Sequence, residues 1–217
     1  VMLMVVVFTM SFATEISAQV LKGKFFVANQ GGKEVSLYRT EGSYKYKIDS
    51  TKVKADGSFY FKKAERPLGY YKISLMNENN IIDVILNPKE SEVSLKFTQP
   101  FLERGINVLE SQENKAYWAF KRKDLNVKKR RKAIQKQRGQ FKSQGNTLKV
   151  NELTNELEKL EKELFLYTEG IIEKNPNTYF SEAKLAGKTT NSSEKATYFD
   201  DLDFTNESFI RSEVFNS

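Results

Sequence analysis

The chemical inventory of this chain is narrow. It holds no Cys and no His among its 217 residues. Disulfides, thiolate zinc sites, CxxC redox pairs and His-based nucleophile triads are therefore excluded within it. A general acid or base would have to be a carboxylate, Lys or Tyr. Ser–Lys pairs are the remaining simple nucleophile, and two SxxK strings occur, Ser181…Lys184 and Ser192…Lys195. With 27 Lys and 17 Ser in the chain, about two such strings arise by chance, so they carry no information. No GxGxxG, Walker A or GxSxG string is present. Tyr198 to Glu207 (YFDDLDFTNE) alternates acids with apolar residues. It lacks the Gly at position six and the Glu at position twelve that an EF-hand loop needs, so calcium is not expected. The expected site list is empty: no catalytic, cofactor-binding or metal-ligating residue, and no enzyme.

Charge is the stronger signal. Lys and Arg number 35 against 28 Asp and Glu, a net of +7. The surplus sits between Lys121 and Lys142, where eleven bases face Asp124 alone, a net of +10. From Lys149 to Glu173 there are seven Glu and three Lys, a net of −4. The run Lys128-Lys129-Arg130-Arg131-Lys132 suits a nucleic-acid-binding helix when read alone. The apolar pattern points elsewhere. Leu153, Leu157, Leu160, Leu164, Tyr167 and Ile171 are spaced 4-3-4-3-4, a heptad seam. Phe120, Val127, Ile134 and Phe141 recur every seventh residue, with Asp124, Arg131 and Arg138 between them. Ser143-Gln144-Gly145-Asn146 separates the two runs. The pattern predicts an antiparallel helical hairpin over residues 111–175, capped by Ser111. Opposite rim charges pair across its seam and set register. Protein partners or self-association are expected, with no nucleic acid. A weak contact of the basic helix with anionic surfaces is the other partner considered.

The segments around the hairpin have their own patterns. Residues 20–110 carry short alternating runs punctuated by turns such as Asn29-Gln30-Gly31-Gly32 and Ala55-Asp56-Gly57. Seven to eight strands in about 85 residues predict an antiparallel β-sandwich over 19–110. Tyr44-Lys45-Tyr46-Lys47 reads as a strand with one buried and one solvated face. The fold class is α+β, a sandwich followed by a long helical hairpin. A short helix near Tyr179–Leu185 and a tail fill residues 176–217. Met2 to Ala13 is uncharged, almost wholly apolar and too short to span a bilayer. Residues 1–18 therefore read as a signal peptide cut after Ala18. The expected location is the periplasm or cell envelope, with no membrane span after cleavage. Val1 stands where an initiator Met is expected, which suits an alternative start codon or a sequence clipped at its 5′ end.

Three strings give these segments a familiar order. They are Lys47-Ile48-Asp49-Ser50-Thr51 through Asp56-Gly57-Ser58-Phe59-Tyr60-Phe61, then Val108-Leu109-Glu110-Ser111-Gln112-Glu113-Asn114, then Tyr198 to Phe204 running on to Arg211. Together they resemble the N-terminal region of periplasmic TlpA-like thioredoxin-fold thiol–disulfide oxidoreductases. In that family a β-sandwich domain of unknown function and a helical segment precede a thioredoxin domain carrying a CxxC. The resemblance spans nearly all of residues 20–217. It implies a non-catalytic module that positions, dimerises or recruits clients for the redox domain, which would begin beyond Ser217. No catalytic residue carries over. The other expectation is a stand-alone secreted binding or scaffold protein with a glycan or peptide ligand.

Overall fold

In a computed structural model, residues 18–41, 44–76 and 79–189 are described. The first seventeen residues, the tail from 190 and the string from Tyr198 to Arg211 lie outside them. Alternation of apolar and polar residues produces seven strands in sequence: β1 (Val20–Phe25), β2 (Glu34–Glu41), β3 (Tyr44–Lys52), β4 (Ser58–Tyr60), β5 (Gly69–Leu75), β6 (Ile81–Leu86) and β7 (Glu92–Phe97). A single helical turn, α1 (Leu102–Gly105), then precedes β8 (Ile106–Glu110). Three helices complete the order: α2 (Gln112–Ser143), α3 (Thr147–Lys174) and α4 (Tyr179–Thr189).

The fold is α+β. Two four-stranded sheets, ordered β4-β1-β7-β8 and β3-β2-β5-β6, form a sandwich-like pair. Pairing is antiparallel except between β1 and β7, which run parallel with Phe25 beside Phe97. Phe25, Phe59, Phe61 and Phe97 stack and tilt against one another at the heart of the first sheet. Gly23 makes room for this cluster, since a Cβ there would lie 2.5 Å from the Phe59 ring. The β3–β4 turn needs Gly57: its φ is +83° and a Cβ would sit 2.4 Å from the Phe25 carbonyl oxygen.

The helices share this core. Ala116, Tyr117, Trp118, Phe120, Ile171, Tyr179 and Phe180 are buried in the same apolar cluster as the strands. Tyr70 of β5 packs its ring on Tyr117 and Tyr179. By strand alternation its neighbours Tyr71, Ile73 and Leu75 face the other sheet. Beyond Phe120, α2 and α3 run on as the expected antiparallel pair around Val127, Ile134, Leu153 and Leu160, with Phe141, Leu157 and Leu164 half-buried beside them. The turn between them has Gly145 at φ +70°, and the Asn146 side chain accepts the Lys149 N–H at 3.1 Å.

Two expectations need correction. Tyr167 is exposed, and Thr168 takes its place in the seam, with its hydroxyl donating to the Leu164 carbonyl at 2.8 Å. A straight helix of 3.6 residues per turn drifts about 20° per heptad, so a strict 3.5 repeat leaves the seam as it lengthens. Tyr44 and Tyr46 of β3 are also exposed rather than half-buried. They stand opposite Glu41 and Arg39, which pair with each other.

Candidate functional site

The two SxxK strings have different fates. Ser181 is buried, its Oγ 2.9 Å from Thr178 Oγ1 and its N–H donating to that same oxygen. Lys184 instead lies over the Phe120 ring, 4.2 Å from its centre. This pair is a helix cap and a cation–π contact. Ser192…Lys195 and the acidic run from Tyr198 to Glu207 lie outside the described residues. Among the described residues no three acids group as metal ligands would, and no helix is long and apolar enough to cross a membrane.

The residues do build a polar joint, where the turn after β6, the start of α2 and the start of α4 meet. Ser111 enters α2 with φ +119°, a strained conformation for a non-glycine residue. Neighbours fix it. Its Oγ accepts the Asn114 N–H at 3.0 Å and the Asn114 amide at 2.8 Å, and donates to Glu90 Oε2 at 2.7 Å. Glu90 Oε1 accepts the Glu113 N–H at 3.0 Å. Glu113 is itself buried and reaches across to α4. Its carboxylate accepts the Tyr179 N–H at 2.9 Å, the Phe180 N–H at 3.3 Å and the Asn87 amide at 2.7 Å. A carboxylate of α2 thus satisfies the open N–H groups of another helix, where the helix dipole favours negative charge. Burial nonetheless pushes the Glu113 carboxyl above its ordinary value, against those hydrogen bonds.

Asn114 acts on a sheet edge. Its Oδ1 accepts the Ile85 N–H at 2.8 Å and its Nδ2 donates to the Ile85 carbonyl at 2.7 Å. One side chain therefore replaces the next strand at that position of β6. Trp118 Nε1 donates to the Asp83 carbonyl two residues earlier, at 3.2 Å, and Tyr117 hydroxyl donates to the Asp83 carboxylate at 3.1 Å. Lys72 pairs with Asp83 from within the sheet.

The opposite edge is treated differently. β3 is the outer strand at the other end of the same sheet. Asp49 anchors its inner half by pairing with buried Arg66 at 3.2 Å. Residues 44 to 48 are exposed, with a bulge opposite Leu37 and Tyr38.

The basic run forms two groups on α2. Lys123 and Arg130 meet Glu163, Arg131 meets Glu161, and Lys128 meets Asp124. The side of α2 turned away from α3 carries Arg122, Lys129, Lys132 and Lys136, all exposed. At the hairpin turn a shallow cleft of about 480 Å³ lies between Arg138, Lys142, Asn146 and Val150.

The cap at Ser111, the hairpin and the cross-seam charges were readable from spacing. The roles of Glu113, Asn114, Asn87 and Glu90 were not. No protein-family model matches the chain, and no curated protein matches its sequence.

Proposed function

We propose that this chain is a non-catalytic envelope module that positions, dimerises or recruits clients for a thioredoxin-like thiol–disulfide exchange domain. The polar joint is the observation that carries the reading. It ties α2 and α4 into the sandwich core, so that a segment following α4 leaves from a frame with a fixed geometry. Two of the strings behind the family resemblance supply that frame. Asp56 to Phe61 provides the Gly57 turn and two core rings, and Ser111 to Asn114 provides the joint. The absence of Cys from the sequence fits a module whose thiol chemistry is carried by another domain. The apolar pattern of residues 1–18 supports a periplasmic or envelope location for the module.

The test has two arms. Genomic sequence in frame beyond the Ser217 codon is expected to encode a CxxC within a thioredoxin-like domain. The purified chain is expected to show no turnover of a disulfide substrate; measurable reductase activity refutes the reading. A second reading, a stand-alone envelope protein that binds a peptide or glycan, is favoured by the open β3 edge with exposed Tyr44 and Tyr46. A stop codon directly after Ser217, with stable expression of the chain, supports that one.

A further inference from the structure

We infer that the outer face of α2 is a docking surface for an anionic phospholipid bilayer. The structure divides the cations of this helix by partner. Lys123, Arg130 and Arg131 are engaged by α3, and Lys128 by Asp124. Lys129, Lys132 and Lys136 have no hydrogen bond or ion pair among the described residues, and Arg122 makes one long contact, 3.4 Å to the Ile106 carbonyl.

The positions of these four residues explain why they share a face. They fall at intervals of seven, three and four residues, within about 80° of one another around the helix. The seam residues Val127 and Ile134 lie on the opposite side. At 1.5 Å per residue the stripe is about 21 Å long. The only acids of α2 are Glu113, held in the polar joint, and Asp124, buried on the seam side. Among the described residues of α2, no acid on the outer face offsets the positive charge.

Geometry selects the partner. The net charge of α3 between Lys149 and Glu173 is −4, and α3 packs directly behind α2. A flat anionic surface meets the cationic stripe alone. A nucleic-acid groove about 12 Å wide would surround the helix and bring phosphates against the Glu residues of α3. The stripe also carries no aromatic side chain on which a base could stack. Leu125 is its one large apolar neighbour and is itself half-buried, so the contact is adsorption to headgroups without insertion. Each Lys or Arg near such a surface contributes about fivefold in affinity.

The experiment is co-sedimentation of the purified full chain with vesicles of phosphatidylcholine enriched in phosphatidylglycerol, whose anionic headgroups give a strong negative surface potential. Binding is expected to these vesicles and not to pure phosphatidylcholine, and to weaken steeply when salt shortens the Debye length to about 3 Å. The triple variant K129Q/K132Q/K136Q should lose about 100-fold in vesicle affinity and keep the wild-type melting temperature. The double variant R130Q/R131Q, on the engaged flank, should lose far less. Equal binding to neutral vesicles, no binding, or an unchanged triple variant overturns the inference. Tighter binding to a DNA duplex at matched phosphate overturns it as well. The outcome is independent of whether a redox domain follows, so neither proposal stands or falls with the other.

Discussion

Replacing Asn114 with Leu tests the joint directly. The side chains are close in size, so the change removes hydrogen bonds with little loss of volume. Asn114 is fully buried. Its loss leaves the Ile85 N–H and carbonyl without their partners, 2.8 and 2.7 Å away in the native structure. Each buried polar group left unsatisfied costs about 1–3 kcal/mol. Ser111 Oγ also loses a donor at 2.8 Å but keeps Glu90. The expected destabilisation is about 3–5 kcal/mol. For a chain of this size that corresponds to a drop of about 6–20 °C in melting temperature. Urea titration followed by circular dichroism gives the free energy, and hydrogen exchange at the Ile85 amide reports the edge itself. Protection there should collapse before protection in β5. If Asn114→Leu unfolds within about 0.5 kcal/mol of wild type, the joint does not hold the helices to the sheet. Separate melting of helix and sandwich in the wild type would refute the shared core as well.

Three further changes probe other links. Leu160→Ala removes the most buried seam residue of α3, 1% exposed, and should cost about 2–5 kcal/mol by thermal melt; a neutral result contradicts the seam. Gly57→Ala forces a side chain into φ +83° and against the Phe25 carbonyl, so it should cost more than the roughly 1–2 kcal/mol of a left-handed residue alone, read by urea denaturation. Glu113→Gln tests the raised carboxyl pKa. A group that binds its proton more tightly when folded contributes stability below its unfolded pKa, and loses it as pH rises through the folded one. The wild type should therefore shed stability over that window, and the Gln variant should flatten that part of the stability–pH curve. Identical curves for the two proteins would remove Glu113 as the cause.

Strand and helix positions were largely legible because they depend on local periodicity. The runs from Val20, Glu34, Tyr44, Ser58, Tyr70, Ile81 and Val93 each became a strand near the expected bounds. β8 was missed because Ile106-Asn107-Val108-Leu109-Glu110 follows a single helical turn and its alternation is too short to stand out. The joint was illegible for another reason. Asn114 pairs with Ile85 29 residues away and Glu113 with Tyr179 66 residues away, and no local pattern records such pairings. Tyr44 and Tyr46 misled because alternation states which residues share a face. It does not state whether the opposite sheet extends far enough to cover that face.

The fate of the four sheet edges bears on the peptide-binding reading. A free edge invites pairing with another chain, so folds blunt edges by shortness, bulges, charge or cover. β4 has three residues, and β8 is irregular where it meets Ser94 and Leu95. Asn114 and Trp118 occupy the edge of β6. β3 remains: at nine residues it is the longest described strand, and no element among the described residues covers its upper half. Its guards are a bulge and two lysines, with Lys47 tied to Glu34 across the strand pair. That pairing holds the Glu34 carboxyl below its ordinary value, chiefly through the Lys47 hydrogen bond. Tyr44 and Tyr46 contribute little to such protection and are 72% and 51% exposed, so they should be dispensable to the fold. The double change Tyr44→Ser and Tyr46→Ser should alter unfolding free energy by under about 1 kcal/mol. Tyr71→Ser, buried on β5 opposite Arg39, should cost about 3 kcal/mol or more. If the exposed pair proves as costly as Tyr71, those rings serve the fold, and the open edge loses its claim as a peptide-binding strand.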